Sequence, residues 1–202
     1  MSSVEPTKHE LRSGETRARL LAEARRLFGE RGYAEVGTEE IVRAAGVTRG
    51  ALYHQFTDKR DLFRSVFEIV EAELTERIGE QIAQSGAQGA LGGLAAGAEL
   101  LMDMITEPEI RRIVALDGPS VLGWEEWREI IERYGLGLIV AALQAAMDEG
   151  EVSPAPVRPL AHLLLGAIDE GAMYVAFADD PVTARAETLA AWEAILRSLG
   201  TG

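Results

Sequence analysis

Between Thr38 and Lys59 the chain concentrates side chains suited to binding phosphate and base edges: Thr38, Thr48, Arg49, Gly50, Tyr53, His54 and Lys59. Thr38 and Thr48, each opening a helix, present a hydroxyl and free amides to a phosphate oxygen where the helix dipole favours anions, and the same residues serve as plain caps. Arg49 fits a bidentate contact to guanine worth about 1–3 kcal/mol of discrimination, or else a solvated surface arginine. Gly50 permits close approach to a sugar–phosphate backbone or a thymine methyl. Tyr53 and His54 suit phosphate or base-edge contacts, and the Tyr53 ring equally suits packing on a neighbouring helix. Catalytic chemistry finds less support. Glu99, Asp103 and Glu107 recur at four-residue steps, but the partner histidines of a bundle metal site are missing, so a solvated acidic face is the better reading. His162 has no nucleophile in an evident arrangement, and reads as a core or interface histidine. Cysteine is absent, and Gly89, Gly92 and Gly93 lack the lysine of a phosphate loop. No catalytic residue, metal or cofactor is expected.

The elements that position these groups are helical throughout; period-2 alternation never persists. A mobile arm is expected over residues 1–15. Leu20, Leu21, Ala24, Leu27 and Phe28 then form a helix capped by Thr16 and stopped by Gly32. Thr38 caps a short second helix with Glu39 and Glu40 in its first turn and Ile41, Val42 and Ala45 on its apolar face. Ala45-Gly46-Val47 turns the chain, Gly46 supplying a left-handed residue, and Thr48 to about Gln55 follows as a third helix. Two short helices so joined match a helix-turn-helix, whose second helix enters the major groove and reads bases with its first residues. Asp58 and Asp61 resemble a capping box for a long fourth helix in which Leu62, Val66, Val70, Leu74, Ile78 and Ile82 recur every fourth position. Beyond it, Gly86–Gly97 reads as a loop entering a weak helix. A helix over Glu99–Thr106, a short segment Glu109–Leu116 and a break at Asp117-Gly118-Pro119 follow. Helices over Trp124–Glu149, Leu160–Ala178 and Thr183–Leu199 complete the chain. The fold class is all-α, about nine helices: a helix-turn-helix head over residues 16–60 and a larger helical body over 61–202.

The overall charge of −13 argues against nucleic acid until it is divided along the chain. Residues 1–60 hold 11 Lys and Arg against 9 Asp and Glu, and residues 61–202 hold 9 against 24. A nearly neutral head on an acidic body orients the head towards DNA and keeps the body away from it. The uncharged run Gly86–Ala98 is too short and too weakly apolar to span a bilayer, and the first residues carry charges of both signs, so no membrane span or export signal is read and a cytoplasmic location is expected.

Thr38, Ile41, Ala45, Gly46, Val47, Thr48, Gly50, Tyr53, Phe56, Lys59 and Leu62 stand in one register that resembles the TetR/AcrR family of bacterial transcriptional regulators. Ala24, Phe28, Gly32 and Tyr33 fit that family's first helix and its exit. Val42 and Gln55 depart from the pattern, so no contact is carried over to Gln55. The resemblance covers residues 16–63 closely and the remainder in architecture only. It implies a homodimeric repressor on a palindromic operator, released by a small apolar or amphipathic ligand, with Lys59 on the phosphate backbone and Phe56 and Leu62 in the head's core. An activator, or a regulator without a ligand, is the alternative. Candidate walls of a ligand pocket are Phe67, Met102, Ile105, Trp124, Trp127, Tyr134, Met173, Tyr174 and Phe177, most of them equally suited to a core. Asp169 and Glu170 would anchor a cation there or pair across a dimer, since carboxylates amid apolar residues need a partner. Surplus apolar surface at Leu164, Ile168 and Val175 and at Leu189, Trp192 and Leu196 suggests a four-helix dimer interface, unless both helices are buried within one chain.

Overall fold

The computed structural model describes residues 8–201, with side chains from Arg12 onward. Among them the secondary structure is helical, apart from an isolated bridge between Val152 and Gly200. Of the arm placed at 1–15, residues 1–7 lie outside the described residues, while α1 spans Lys8–Arg31 and so already includes 8–15. Those positions lack apolar periodicity, which hid the helix; Thr16 lies inside it and donates its hydroxyl to the Arg12 carbonyl at 2.9 Å. α2 (Thr38–Ala45) is preceded by Gly37, not capped by Thr38, whose place is the first turn. α3 (Arg49–Gln55) is capped as expected, the Thr48 hydroxyl accepting from the Ala51 amide at 3.2 Å. Gly46 between them sits at φ 61°, ψ 38°, the left-handed conformation the turn requires.

α4 (Lys59–Gln84) begins on Asp58, whose carboxylate accepts from the Asp61 amide at 2.8 Å, while Asp61 accepts from the Thr57 amide at 2.9 Å. Its buried face runs from Leu62 and Phe63 through Phe67 and Val70 to Leu74. The first part of that face closes the head with α1. The remainder enters the body, formed by α5 (Gly89–Met104), α6 (Pro108–Ile110), a π-helical segment Arg111–Asp117, α7 (Gly118–Leu122), α8 (Trp124–Asp148), α9 (Val157–Phe177) and α10 (Pro181–Leu199). α8 and α9 are long and apolar enough by composition to cross a membrane, and they pack on one another and on α5.

Two expected boundaries fall elsewhere. The glycine-rich stretch is a loop entering a helix as read, but the loop ends early: α5 starts at Gly89 and continues unbroken to Met104, because its small residues face α4. A Cβ at Gly97 would lie 3.0 Å from Ile82 Cδ1, so the absent side chain is what lets the two helices approach. Asp117-Gly118-Pro119 do not break the chain. Pro119 occupies the first turn of α7, where a missing amide costs nothing, and helical backbone runs from Pro108 to Leu122.

The residues expected at a dimer interface are mostly turned inward. Leu164, Ile168 and Val175 of α9 and Trp192 and Leu196 of α10 are buried within the single chain, and Leu189 is half-buried. The α9 face left open instead carries Leu163, 72% exposed, with Ala167, Glu170, Tyr174 and Phe177, spaced at helical intervals. α9 is apolar over more than one face, and periodicity alone did not say which face the monomer uses.

Gly118 gives a direct test of the packing at the head of α7. An added Cβ would stand 2.7 Å from Phe67 Cε2, 3.1 Å from Trp127 Cδ1 and 3.2 Å from the Ile113 carbonyl, with no flexible neighbour to yield. Gly118→Ala is expected to cost about 1–3 kcal/mol, read as a lower urea midpoint at unchanged slope. An unchanged midpoint would mean that the contact relaxes.

Candidate nucleic-acid interface and ligand cavity

α3 presents Thr48, Arg49, Gly50, Tyr53 and His54 together to solvent, its inward side being held by buried Leu52. The Arg49 guanidinium lies 5.6 Å from the Tyr53 ring centroid and 3.5 Å from Glu39 Oε1, both partners exposed, so it is steered but not tied down. Tyr53 is 45% exposed and does not pack into the head, which leaves its hydroxyl free to reach outward. Thr38 is half-buried at the start of α2, beside this surface.

Lys59 is placed differently from the others. Its ammonium turns inward, donating to the Tyr33 carbonyl at 2.8 Å and the Val36 carbonyl at 3.0 Å, and lies 3.9 Å from the Tyr33 ring centroid. Partial burial draws its pKa below the ordinary lysine value, with the charge of Asp117 opposing the shift. Lys59 thus ties the α1–α2 connection to the first turn of α4.

Two residues that set the recognition helix in place gave no motif signal. Arg17 of α1 donates to the Gln55 carbonyl at 3.1 Å and to Ser65 Oγ at 3.2 Å, and stacks 4.3 Å from the centroid of Phe56. Arg19 donates to the Ala45 carbonyl and, at 3.3 Å, to that of Gly46. Cations from α1 therefore satisfy carbonyls at the C-terminal ends of both short helices, where the dipole favours them. Their spacing reads only as a polar helix face until the turn is folded onto it. Ser13 accepts from Gln55 Nε2 at 2.7 Å, so the early part of α1 also braces α3.

Head and body are clamped along one seam. Arg60 donates to the Leu122 carbonyl at 2.7 Å and the Val121 carbonyl at 3.1 Å, and pairs with Glu126 at 2.5 Å. Arg64 meets the other Glu126 oxygen at 2.6 Å, and the Tyr33 amide donates to Asp117 at 2.7 Å. The end of α7 and the start of α8 are thereby joined to the residues immediately after the recognition helix.

The same helices border a cavity of about 680 Å³ between α7, α8 and α9, within the usual range for small-molecule sites. Of the expected pocket residues it gathers Trp124, Trp127, Asp169, Glu170, Met173, Tyr174 and Phe177, and adds Pro119, Arg128 and Gly166. Phe67, Met102 and Ile105 are corrected to core residues, fully buried and not among those lining the cavity. Tyr134 lies elsewhere, in a shallow depression beside Arg17 and Ile69. A drier cavity of about 390 Å³ separates α4, α5 and α8, lined by Ile78, Ile82, Gly93, Leu94 and Leu138.

Charge is unevenly balanced around the larger cavity. Asp169 pairs with Arg128 at 2.8 Å, and Arg128 also holds Glu132 at 3.0 Å. Burial raises the Asp169 pKa to about 7, with the Arg128 charge pulling the other way. On α4, Glu71 is 6% exposed; desolvation foremost, and the charge of Asp169 behind it, push its pKa to about 8. Glu71 Oε1 and Trp127 Nε1 find no hydrogen-bond partner among the described residues. The acidic face at Glu99, Asp103 and Glu107 is partly compensated, Asp103 by Arg185 at 2.6 Å and Glu107 by Arg77 at 2.9 Å. His162 is half-buried, 3.4 Å from Glu132.

Comparison with known proteins agrees with this arrangement. Residues 20–66 match the family described as bacterial regulatory proteins, tetR family, and residues 91–199 match the tetracyclin repressor-like C-terminal domain. The transcriptional regulator AcrR of Shigella flexneri is 47% identical over 62 residues, 31% of this chain and 29% of that protein. The regulator CymR of Pseudomonas putida is 31% identical over 138 residues, 64% of this chain and 68% of its own length. A crystal structure of a TetR-family transcriptional regulator from Pectobacterium atrosepticum superposes with a TM-score of 0.83 at 34% identity, covering 98% of this chain and 99% of the other.

Glu71 gives the cavity region a pH signature. Its folded pKa lies above its unfolded one, so between about pH 4.5 and 8 the unfolded chain has released a proton that the folded chain retains, and stability from this residue falls as pH rises through that window. Glu71→Gln is therefore expected to gain melting temperature relative to the parent as pH is raised across the window, with the difference levelling off above it. Parallel melting curves at all pH values would contradict the buried, neutral carboxyl.

Proposed function

Because the chain belongs to the TetR/AcrR family of bacterial transcriptional regulators, a family of DNA-binding proteins and not of enzymes, we propose that it is a repressor that binds a palindromic operator as a homodimer and leaves it when a small molecule fills the cavity between α7, α8 and α9. Repression is the sign the family resemblance carries. The observation that supports the reading most is the Arg60 clamp, which joins Leu122 and Glu126, on the two helices that also bring Pro119, Trp124 and Trp127 to the cavity, to the turn that follows the recognition helix.

In this reading Arg49 reads a base edge from the first turn of α3, with Thr48, Tyr53, His54 and Thr38 on phosphates and neighbouring bases. The weak Glu39 contact of Arg49 is given up on binding. Lys59 contributes by fixing the loop that carries α2, its bonds to Tyr33 and Val36 holding it off the exposed surface. One recognition helix binds weakly, and a second at a spacing of about 34–36 Å, or a multiple of it, supplies the rest. The open α9 face at Leu163 and Ala167 is the surface for that pairing. Ligand between α7, α8 and α9 shifts the start of α8; Arg60 and Arg64 pass the shift to α4, and the two heads leave the operator spacing.

Selection of bound duplexes from a random library is expected to return an inverted repeat. Arg49→Ala should relax one position in each half-site at a cost of about 1–3 kcal/mol, with other positions retained. Failure to enrich any sequence at low salt would overturn the DNA-binding assignment, and uniform weakening by Arg49→Ala would reduce that residue to a backbone contact.

A further inference from the structure

The larger cavity has a definite chemical character. Three of its walls are the aromatic faces of Trp124, Tyr174 and Phe177, all well exposed to its opening. Its one cation, Arg128, is already shared between Asp169 and Glu132. Glu170 lines the same cavity with no ion-pair partner among the described residues, so the carboxylates Asp169, Glu170 and Glu132 outnumber that one guanidinium. An anion placed here would meet excess negative charge. A neutral molecule would leave the carboxylates as they are.

Trp127 lines the cavity at 4% exposure, so its indole adds apolar surface behind the exposed rings. Aromatic faces combined with uncompensated carboxylates bind a positive charge attached to an apolar body, through cation–π attraction, ion pairing and apolar burial together.

Building on the ligand-gated reading above, we infer that the effector of this regulator is an amphipathic organic cation, its apolar body against Trp124, Tyr174 and Phe177 and its charge held by Asp169 and Glu170. On entry the cation competes with Arg128 for Asp169, and Arg128 shifts towards Glu132 on its own helix. The same helix carries Glu126, the partner of Arg60 and Arg64, so the exchange of charge acts directly on the seam that leads to the head.

The test uses one apolar body with three charges: 4-phenylbutyltrimethylammonium, 4-phenylbutanol and 4-phenylbutyrate, each titrated into the full-length protein while tryptophan fluorescence is followed. The ammonium compound should bind about tenfold tighter than the alcohol, and the carboxylate more weakly than either. Asp169→Asn should remove most of the ammonium preference and spare the alcohol. Glu170→Gln, at an exposed position that bears little on folding, should reduce the preference as well. Equal binding of the three compounds, tighter binding of the carboxylate, no binding of the ammonium compound, or an ammonium preference unchanged in both variants would overturn the inference. Operator affinity is measured in parallel to separate the two claims. Charge-selective binding that leaves the operator affinity unchanged upholds the site and removes ligand-gated release. Release by the alcohol or the carboxylate but not by the ammonium compound upholds release and removes the cation.

Discussion

A single helix belongs to two cores, and the rest of the molecule is arranged around that constraint. Phe63 of α4 packs against Phe28 and Tyr33 of the head at centroid distances of 5.5 and 5.2 Å, and against Phe67 of its own helix at 6.4 Å. Phe67 in turn faces Gly118 in the body. No flexible linker lies between these contacts, since Leu62, Phe63, Val66, Phe67, Val70 and Leu74 form one buried line. Packed interiors change by discrete shifts of whole elements more readily than by gradual deformation. In the proposed mechanism a disturbance at the cavity wall moves α4 as a rod, and the head follows it.

Electrostatics reinforces this mechanical coupling and divides the labour of the chain. The exposed face of α3 keeps its cations loosely held, whereas Arg17, Arg19 and Lys59 are spent on carbonyls that fix the head's shape. Arg60 and Arg64 join head to body on one side, and Arg25 does so on the other through Glu73 at 2.6 Å and Glu109 at 2.5 Å. Asp169 and Glu170 line the cavity where the proposed effector would enter, with Arg128 as the cation among its lining residues. With its pKa raised by burial, Glu71 is the group through which stability is expected to fall as pH rises towards 8.

The head was legible in the sequence because its signals are local. A left-handed glycine at Gly46, a hydroxyl cap at Thr48 and a carboxylate pair at Asp58 and Asp61 each act within four residues, and each forms as read. The body was legible as helices but less so in their limits. Gly93 and Gly97 look like loop formers until Ile82 of another helix is placed against them, and Gly118-Pro119 looks like a break until Phe67 and Trp127 fill the space a side chain would need. For the same reason Met102 and Ile105 could not be told from cavity walls, and the outward face of α9 could not be told from its inward one. Asp169 and Glu170 stood out because carboxylates on an apolar helix are costly, while Glu71 sat unnoticed among many acidic residues of a long amphipathic helix, with nothing in its neighbours to mark it as buried.

Coupling between the α7–α8–α9 cavity and the recognition helix is the central claim, and Gly166 allows it to be measured without a ligand in hand. Gly166 lines the cavity, and a Cβ built there has no neighbour within 4 Å, so a larger side chain can start from this position without a clash at its first atom. The measurement is the affinity of Gly166→Phe for the selected operator duplex, in a preparation whose melting temperature and sedimentation match the parent protein. The account predicts a fall of about tenfold or more, equivalent to about 1.4 kcal/mol or more of coupling. An unchanged operator affinity in the filled, intact protein would contradict it.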